Sequence, residues 1–453
     1  MSHTIPESIV AALQELAEEL AAWCAEGRDQ DLEAHEAAVL ERVRAALPRL
    51  LAAVVAAATS GLHPRLARAR QACPGCGAKV EPHGAPRPRQ VLTRCGTLAL
   101  ARPYYHCPAC GRGWSVLETT LGIPERARTS GGVRAWLARL GAATDFREAA
   151  ELLGELTGLA LGAETVRRHS EAAGAALRAA EDAAVATVER TREAAEPVEA
   201  APGALLVEAD GATVRYLDGW HEVKLGLVGG WDGETVRTPS YVAAREPAER
   251  FGHRLAAEAA RRGALEVADW EHAPGSAPGD RLPALAVLRE AVVVGDGAPW
   301  IWGLADEQFG ARVEVVDYFH AAEHLHALAK ALFGDGAATA DWAAARAGEL
   351  LARGSGPVLA ALRAAEAPTA EAAEQLRLER GYFAKNAERM SYPELLLDGL
   401  PIGSGPVEST ADHLVQRRMK RAGMRWSEPG GDAMLALRAR LRSGRPLVAP
   451  RAA

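Results

Sequence analysis

The sequence predicts a multidomain α/β protein. A mixed sheet carries a helical insertion and is preceded by a helical N-terminus, a paired-cysteine ribbon and a helix-turn-helix region. Three observations lead to this. Between residues 201 and 330 two apolar runs, ALLVEA and AVVVG, each followed by Asp-Gly, alternate with stretches of helical periodicity. Two CxxC pairs stand at 73–76 and 107–110. Three amphipathic stretches separated by short turns fill 129–178. At 453 residues the chain exceeds one ordinary core. These features divide it at 1–70, 71–118, 119–200, 201–330, 331–400 and 401–445.

Composition narrows the class. With 48% hydrophobic and 25% charged residues the chain is globular rather than disordered. No apolar run is long and charge-free enough to span a bilayer. The N-terminus carries acids early and lacks a basic region before an apolar one, unlike a signal peptide, so a cytoplasmic location is expected. The formal net charge of −7 argues against a uniform nucleic-acid coat but permits local basic faces.

Residues 5 to about 60 read as two helices broken at Gly27-Arg28, a packed hairpin in which Cys24 is expected to be a buried thiol. Cys73, Cys76, Cys107 and Cys110 form two knuckles, each followed by glycine, around a hairpin that turns at Cys95-Gly96. Four thiolates from two knuckles suit tetrahedral Zn²⁺ and leave no open position, so the zinc would be structural. In a reducing compartment disulfides explain the pattern less well. Cys95, His83 and His106 are weaker ligands, and Arg87, Arg89, Arg94 and Arg102 give this module a positive face.

Val133, Trp136, Leu137 and Leu140 mark one helix, FREAAELLGELTG a second ending at Gly158, and GAETVRRHSEAAGAAL a third. In a helix-turn-helix, Thr165, Arg167, Arg168 and His169 would face a DNA groove, although plain helical packing gives the same pattern. A linking helix follows to about 200, stopped by Pro197 and Pro202.

The next segment reads as strands ALLVEAD, ATVRYL and WHEVKLGLVGGWD, with turns at Asp210-Gly211 and Asp218-Gly219, then a short SYVAA strand. A helix, the strand AVVVG, the helix Pro299 to Gln308, the strand in ARVEVVDYFH and a helix holding His320, His324 and His326 complete it. ALLVEA and AVVVG are expected to lie centrally and parallel. Asp210 and Asp296 would then meet at the carboxyl edge, where α/β sheets place their chemistry. Asp-Gly after a strand is also an ordinary turn. Two converging carboxylates raise their own pKa unless a cation neutralises them, and oxygen ligands suit Mg²⁺ or Mn²⁺. Glu208 shares the strand face of Asp210 as a weaker ligand. Residues 331–400 read as a helical insertion that returns the chain to Glu408. Glu408 falls in the first turn of a helix begun by Gly403, Ser404, Gly405 and Pro406, and a basic run of Arg417, Arg418, Lys420, Arg421 and Arg425 follows.

The blocks VEADGATV, VVVGDGAPWIWGL, VVDYFHAAEHLHALAKALFG and IGSGPVESTADHLVQRRMKRAGMRW resemble those of bacterial insertion-sequence transposases of the Asp-Asp-Glu type, the ISKra group. The resemblance covers about residues 70 to 440, and GSGPVES with RRMKRAGMRW is its most specific part. It implies a ribonuclease-H-like catalytic domain and a metal-binding triad of Asp210, Asp296 and Glu408. It also draws attention to Asp317-Tyr-Phe-His320, similar to an Asp-x-x-His signature of related transposases, which gives His320 a role at the site or on DNA.

The activity expected is cleavage of insertion-sequence ends and strand transfer with two Mg²⁺ ions per site. A phosphodiester needs a barrier reduction on the order of 20 kcal/mol, which favours metals and positioning over a lone acid or base. Arg417, Arg418, Lys420, Arg421 and Arg425 would hold DNA phosphates. Terminal inverted repeats and target DNA are the expected partners, and a homo-oligomer holding two ends is implied by the resemblance. The alternatives are a non-catalytic, domesticated zinc-ribbon and helix-turn-helix regulator, or a metal-dependent nuclease on the same fold.

Overall fold

A computed structural model describes residues 5–26, 30–60, 69–191, 200–268, 285–288, 290–403, 405 and 410–447. The chain divides into two compact units, Met1–His169 and Ser170–Ala453.

In the first unit, helices α1 (Glu7–Glu26) and α2 (Leu32–Thr59) form the expected hairpin. Asp31 caps α2 by accepting from the Ala34 amide, while Gly27 and Arg28 lie outside the described residues. Cys24 is exposed on α1, not buried as expected, because the helix turns its Trp23 edge inward, to hydrogen-bond His35. Three antiparallel pairs follow: β1 (Gln71–Ala72) with β2 (Lys79–Val80), β3 (Arg87–Thr93) with β4 (Gly96–Arg102), and β5 (Tyr105–His106) with β6 (Gly113–Trp114). Val91, Leu98 and Leu100 of the long hairpin pack on Leu51, Ala52 and Val55 of α2. Gly96 is required there: its φ is 94° and a Cβ would stand 2.7 Å from Pro48.

After the short helix α3 (Val116–Leu121) come α4 (Gly131–Ala143), α5 (Phe146–Thr157) and α6 (Ala163–Thr191). Ser130 and Asp145 cap α4 and α5, and Gly158 ends α5 in the left-handed region. Val133, Leu137, Ala149, Leu153, Leu159 and Val166 form the core of the three helices. The third helix and the linking helix of the sequence reading are one continuous element, α6, of 29 residues; Pro197 lies outside the described residues.

The second unit is built on a mixed five-stranded sheet of order β13-β12-β7-β8-β9. Its members are β7 (Ala204–Tyr216), β8 (Gly219–Trp231) and β9 (Val236–Ala244), an antiparallel meander, and β12 (Ala291–Gly295) and β13 (Arg312–Val316), parallel to β7. Helix α7 (Ala248–Ala259) follows β9, and β10 (Leu265–Ala268) pairs with β11 (Leu285–Leu288) before β12. Helix α8 (Pro299–Gln308) connects β12 to β13. The central strands are β12 and β7, as their uninterrupted apolar runs require: Leu205, Leu206, Val207 and Ala291 to Val294 are all buried.

One strand differs from expectation. No turn interrupts Asp210-Gly211; β7 continues to Tyr216 because β8 pairs with it along its whole length, Asp210 opposite Leu225. The hairpin turn is at Leu217-Asp218, one residue from the second expected turn. Asp210 therefore lies within a strand, at the level where the β12 side of β7 loses its partner.

Helix α9 (Tyr318–Phe333) leads into α10 (Ala337–Arg353), α11 (Ser355–Ala364), α12 (Ala370–Lys385) and α13 (Tyr392–Leu397), the expected helical insertion. The last helix among the described residues is α14 (Glu428–Arg442), packed on β9. Among the described residues no helix is long and apolar enough to cross a membrane.

Candidate active site and metal centre

The carboxyl edge of the sheet is assembled by strand register. The β7–β12 ladder is paired to Glu208 with Val294, and the β12–β13 ladder to Gly295 with Val316. Carried on past these last pairs, the registers set Asp296 level with Asp210 and Asp317 level with Asp296. Adjacent strands run about 4.8 Å apart. A Cβ on Gly295 would stand 3.6 Å from the Ala209 carbonyl, which confirms the close approach. Asp210 and Asp296 are half-buried and Asp317 is 1% exposed. Glu208 is fully buried in the core of the sheet.

Each aspartate is held differently. Asp210 Oδ1 accepts from the Gly211 amide at 2.7 Å. Asp296 Oδ1 accepts from the Ala298 amide at 2.8 Å, a turn that starts α8 at Pro299. Asp317 caps α9 by accepting from the His320 amide at 2.8 Å, and its own amide donates to the Gly295 carbonyl at 2.8 Å. The Asp296-Gly297 turn is clamped by the insertion: the Tyr382 hydroxyl donates to the Asp296 carbonyl at 2.9 Å. Burial, with the negative charges of Asp296, Glu379 and Asp317, pushes the Tyr382 hydroxyl far above its ordinary value, so it stays a donor.

The three histidines of α9 part ways. His320 and His324 face each other, Nε2 to Nε2, at 3.3 Å, and His324 Nδ1 lies 2.8 Å from Glu379 of α12. His326 is exposed. Glu408, with Ser404 and Pro406, lies outside the described residues. The chain nevertheless returns to the edge just before it. The Tyr318 amide donates to the Ile402 carbonyl at 2.8 Å, and a Cβ on Gly403 would stand 3.8 Å from the Asp317 carboxylate.

The basic run is not a uniform helical face. Only Arg417–Met419 is α-helical; Lys420, Arg421 and Arg425 follow in turns and are exposed. Arg417 pairs with Asp412 at 2.7 Å. Arg418 departs from expectation: it is fully buried, its guanidinium 5.1 Å from the Trp426 ring centroid and bonded to the Met424 sulfur. Trp426 exchanges backbone hydrogen bonds with Arg215 and Leu217, so the run is anchored at the carboxyl end of β7, beyond Asp210 in that strand. In the helix-turn-helix region Arg168 is exposed, whereas Arg167 already pairs with Glu164 at 2.6 Å. Thr165 is half-buried, and burial, with the cations of Arg168 and Arg134, lowers the pKa of His169.

The cysteine cluster belongs to the first unit. Cys73, Cys76, Cys107 and Cys110 place their sulfurs within 4.8 Å of one another, and four such cysteines can bind a structural zinc. The knuckles repeat one geometry: the Gly77 amide donates to the Cys73 carbonyl and the Gly111 amide to the Cys107 carbonyl, each at 2.9 Å. Burial opposes ionisation of Cys73, but the amides of Gly75 and Cys76 and the neighbouring thiols bring it down to about 7. At Cys110 the lowering by the Arg112 amide is outweighed by Cys73, by burial and by the other thiols, and it rises to about 12. Four thiolates thus need a cation among them, which fits Zn²⁺. Cys95, in the β3–β4 turn, and the His83–His106 pair are not part of this cluster.

Two arginines of the expected positive face are turned inward, because Arg89 and Arg102 both pair with the buried Glu118 of α3. Arg87 and Arg94 lie on the rings of Tyr104 and Trp136. A cavity of about 880 Å³ beside them is lined by Arg89, Arg102, Tyr104, Trp114, Arg126 and Arg128.

Neither a family model nor a curated protein matches the chain.

Asp317 enters the sequence reading only as the acid of the Asp317-Tyr-Phe-His320 signature, with no role of its own, and Glu379 does not enter it. Asp317 had a signal: RVEVV ends in an acid just as the other two parallel strands do. Glu379 had none, since it is one of several acids on an amphipathic helix 55 residues beyond its histidine partner.

Proposed function

We propose that the chain is a DNA transposase of the Asp-Asp-Glu type that cuts insertion-sequence ends and joins them to target DNA, using Mg²⁺ or Mn²⁺. The observation that carries this reading is the register that sets Asp210 and Asp296 side by side at the carboxyl edge. A three-stranded antiparallel meander followed by two helix-linked parallel strands supports a ribonuclease-H-like assignment of the sheet. The return of the chain to Asp317 at Ile402–Gly403, five residues before Glu408, supports the third member of the triad.

The donor set fits hard divalent cations: carboxylate oxygens, with none of the cysteine cluster. Asp210, Asp296 and Glu408 would hold the ions. When bound, they activate the attacking oxygen and stabilise charge on the leaving one. The chain's own residues bind and orient. Arg417, Lys420, Arg421 and Arg425 contact backbone phosphates near the edge, and Arg168 with α6 contacts the duplex. The zinc ribbon and the three-helix region supply recognition of the ends, and two copies of the chain hold a pair of ends.

The test uses purified zinc-bound protein, Mg²⁺ and a labelled duplex carrying the repeats that flank the gene, with Glu408→Gln run beside wild type. Joined products from wild type alone are expected. Nicks without joining would replace the transposase by a nuclease. Binding without chemistry in both proteins would replace it by a regulator.

A further inference from the structure

The insertion supplies more than a connection between the sheet and Glu408. Glu379 of α12 is 3% exposed, and both of its oxygens are engaged. Oε1 accepts from Gln375 Nε2 at 2.7 Å and Oε2 meets His324 Nδ1 at 2.8 Å. A carboxylate that is only an acceptor requires the proton on His324 Nδ1. With both rings neutral, His324 Nε2 carries a lone pair and faces His320 Nε2 at 3.3 Å, and a hydrogen bond between them places the proton on His320 Nε2. The remaining nitrogen, His320 Nδ1, is left as an acceptor. Among the described residues its nearest carboxylate is Glu323, 81% exposed, at 3.9 Å and beyond hydrogen-bond reach. Tyr382, one turn along α12 from Glu379, stacks on His324 with centroids 4.1 Å apart and planes at 8°, while its hydroxyl holds the Asp296 carbonyl. One helix of the insertion thus fixes both the imidazole pair and the turn that presents Asp296.

We propose that Glu379 and His324 are positioning residues that lock His320 in the Nε2–H tautomer, with Nδ1 presented as a proton acceptor at the aspartate edge. The proposal rests on the transposase reading for the identity of the reacting group, which is the hydroxyl of water or of a 3′ end. A proton taken from that oxygen forms the His320 Nδ1–H bond. The Nε2–H proton of His320 passes to His324 Nε2, and the resulting His324 cation lies against Glu379. The reverse sequence returns the proton, and no electron changes hands. Such tautomer control follows the general pattern in which a carboxylate sets which ring nitrogen of a histidine is basic.

The test is made on full-length zinc-bound protein labelled with ¹⁵N-histidine, with His320→Gln and His324→Gln used to assign the ring signals. Wild type is expected to show Nδ1–H for His324 and Nε2–H for His320. Glu379→Gln, close to isosteric, is expected to abolish the single tautomer at both rings, and Glu379→Asp to restore it in part. With DNA ends and Mg²⁺, Glu379→Gln should lower the single-turnover rate about 10- to 100-fold, with unchanged DNA affinity; loss of a positioning residue costs less than the roughly 10²–10⁴-fold that the acid–base group itself supplies. His320 carrying its proton on Nδ1 in wild type, or tautomers indifferent to Glu379→Gln, would overturn the network. Expected tautomers with a wild-type rate in Glu379→Gln would overturn the positioning role. An inactive wild type would overturn the transposase reading and the role of His320 with it, and would leave the tautomer assignment standing.

Discussion

At the scale of the residue, burial decides which charges act on a partner and which hold the fold. Arg418 is expected from its neighbours to be one of five phosphate contacts, yet it is enclosed by Trp426 and Met424. Arg418→Ala should cost about 2–5 kcal/mol of stability through the cavity it leaves, read by thermal unfolding. Lys420→Ala and Arg425→Ala should change stability by less than about 0.5 kcal/mol and each lower the log–log salt slope of DNA binding by about 0.9. Glu118 is a second case. It neutralises the inward-turned Arg89 and Arg102, so Glu118→Ala should cost about 2–4 kcal/mol by leaving two cations, only 12% and 15% exposed, without a carboxylate. Sequence alone gives no sign of either, because an arginine reads the same whether its guanidinium meets water or a tryptophan ring.

At the scale of the element, periodicity and punctuation carried most of the reading. The apolar runs of β7 and β12 and their central, parallel placement were legible because a strand buried on both faces has no polar alternation to confuse it. The helices at 131–191 and 337–385 were legible from spacing and from Gly158 at the end of α5, whereas the caps Ser130 and Asp145 show only in the structure. The continuation of β7 through Asp210-Gly211 was not: the dipeptide is a turn signal, and only the partner strand β8 shows that the ladder runs on. The cysteine knuckles were legible as a set, since their spacing and following glycines repeat. They predict one zinc per chain by elemental analysis, retained in Cys95→Ser and Cys24→Ser and lost in Cys107→Ser. Metal removal should unfold the 71–114 hairpins, because four thiolates cannot stay together without a cation.

At the scale of the whole molecule, the second unit builds its candidate site from segments far apart in sequence. Asp210 within β7, Asp296 and Asp317 just past β12 and β13, the clamp of Tyr382 from the insertion and the return at Ile402–Gly403 all belong to one edge. Register is what sets three separate acids level on adjacent strands, and register is not written in any single stretch of the chain. The central claim is that this edge holds divalent cations for phosphoryl transfer. The most direct measurement is Mn²⁺ binding by electron paramagnetic resonance in the presence of a DNA end, comparing wild type with Asp210→Asn, Asp296→Asn and Asp218→Asn. Asp218 provides the control, an aspartate of the β7–β8 turn followed by glycine like the other two. Loss of bound Mn²⁺ in Asp210→Asn and Asp296→Asn, with full binding in Asp218→Asn, is the predicted result; equal binding by all four proteins would contradict the account.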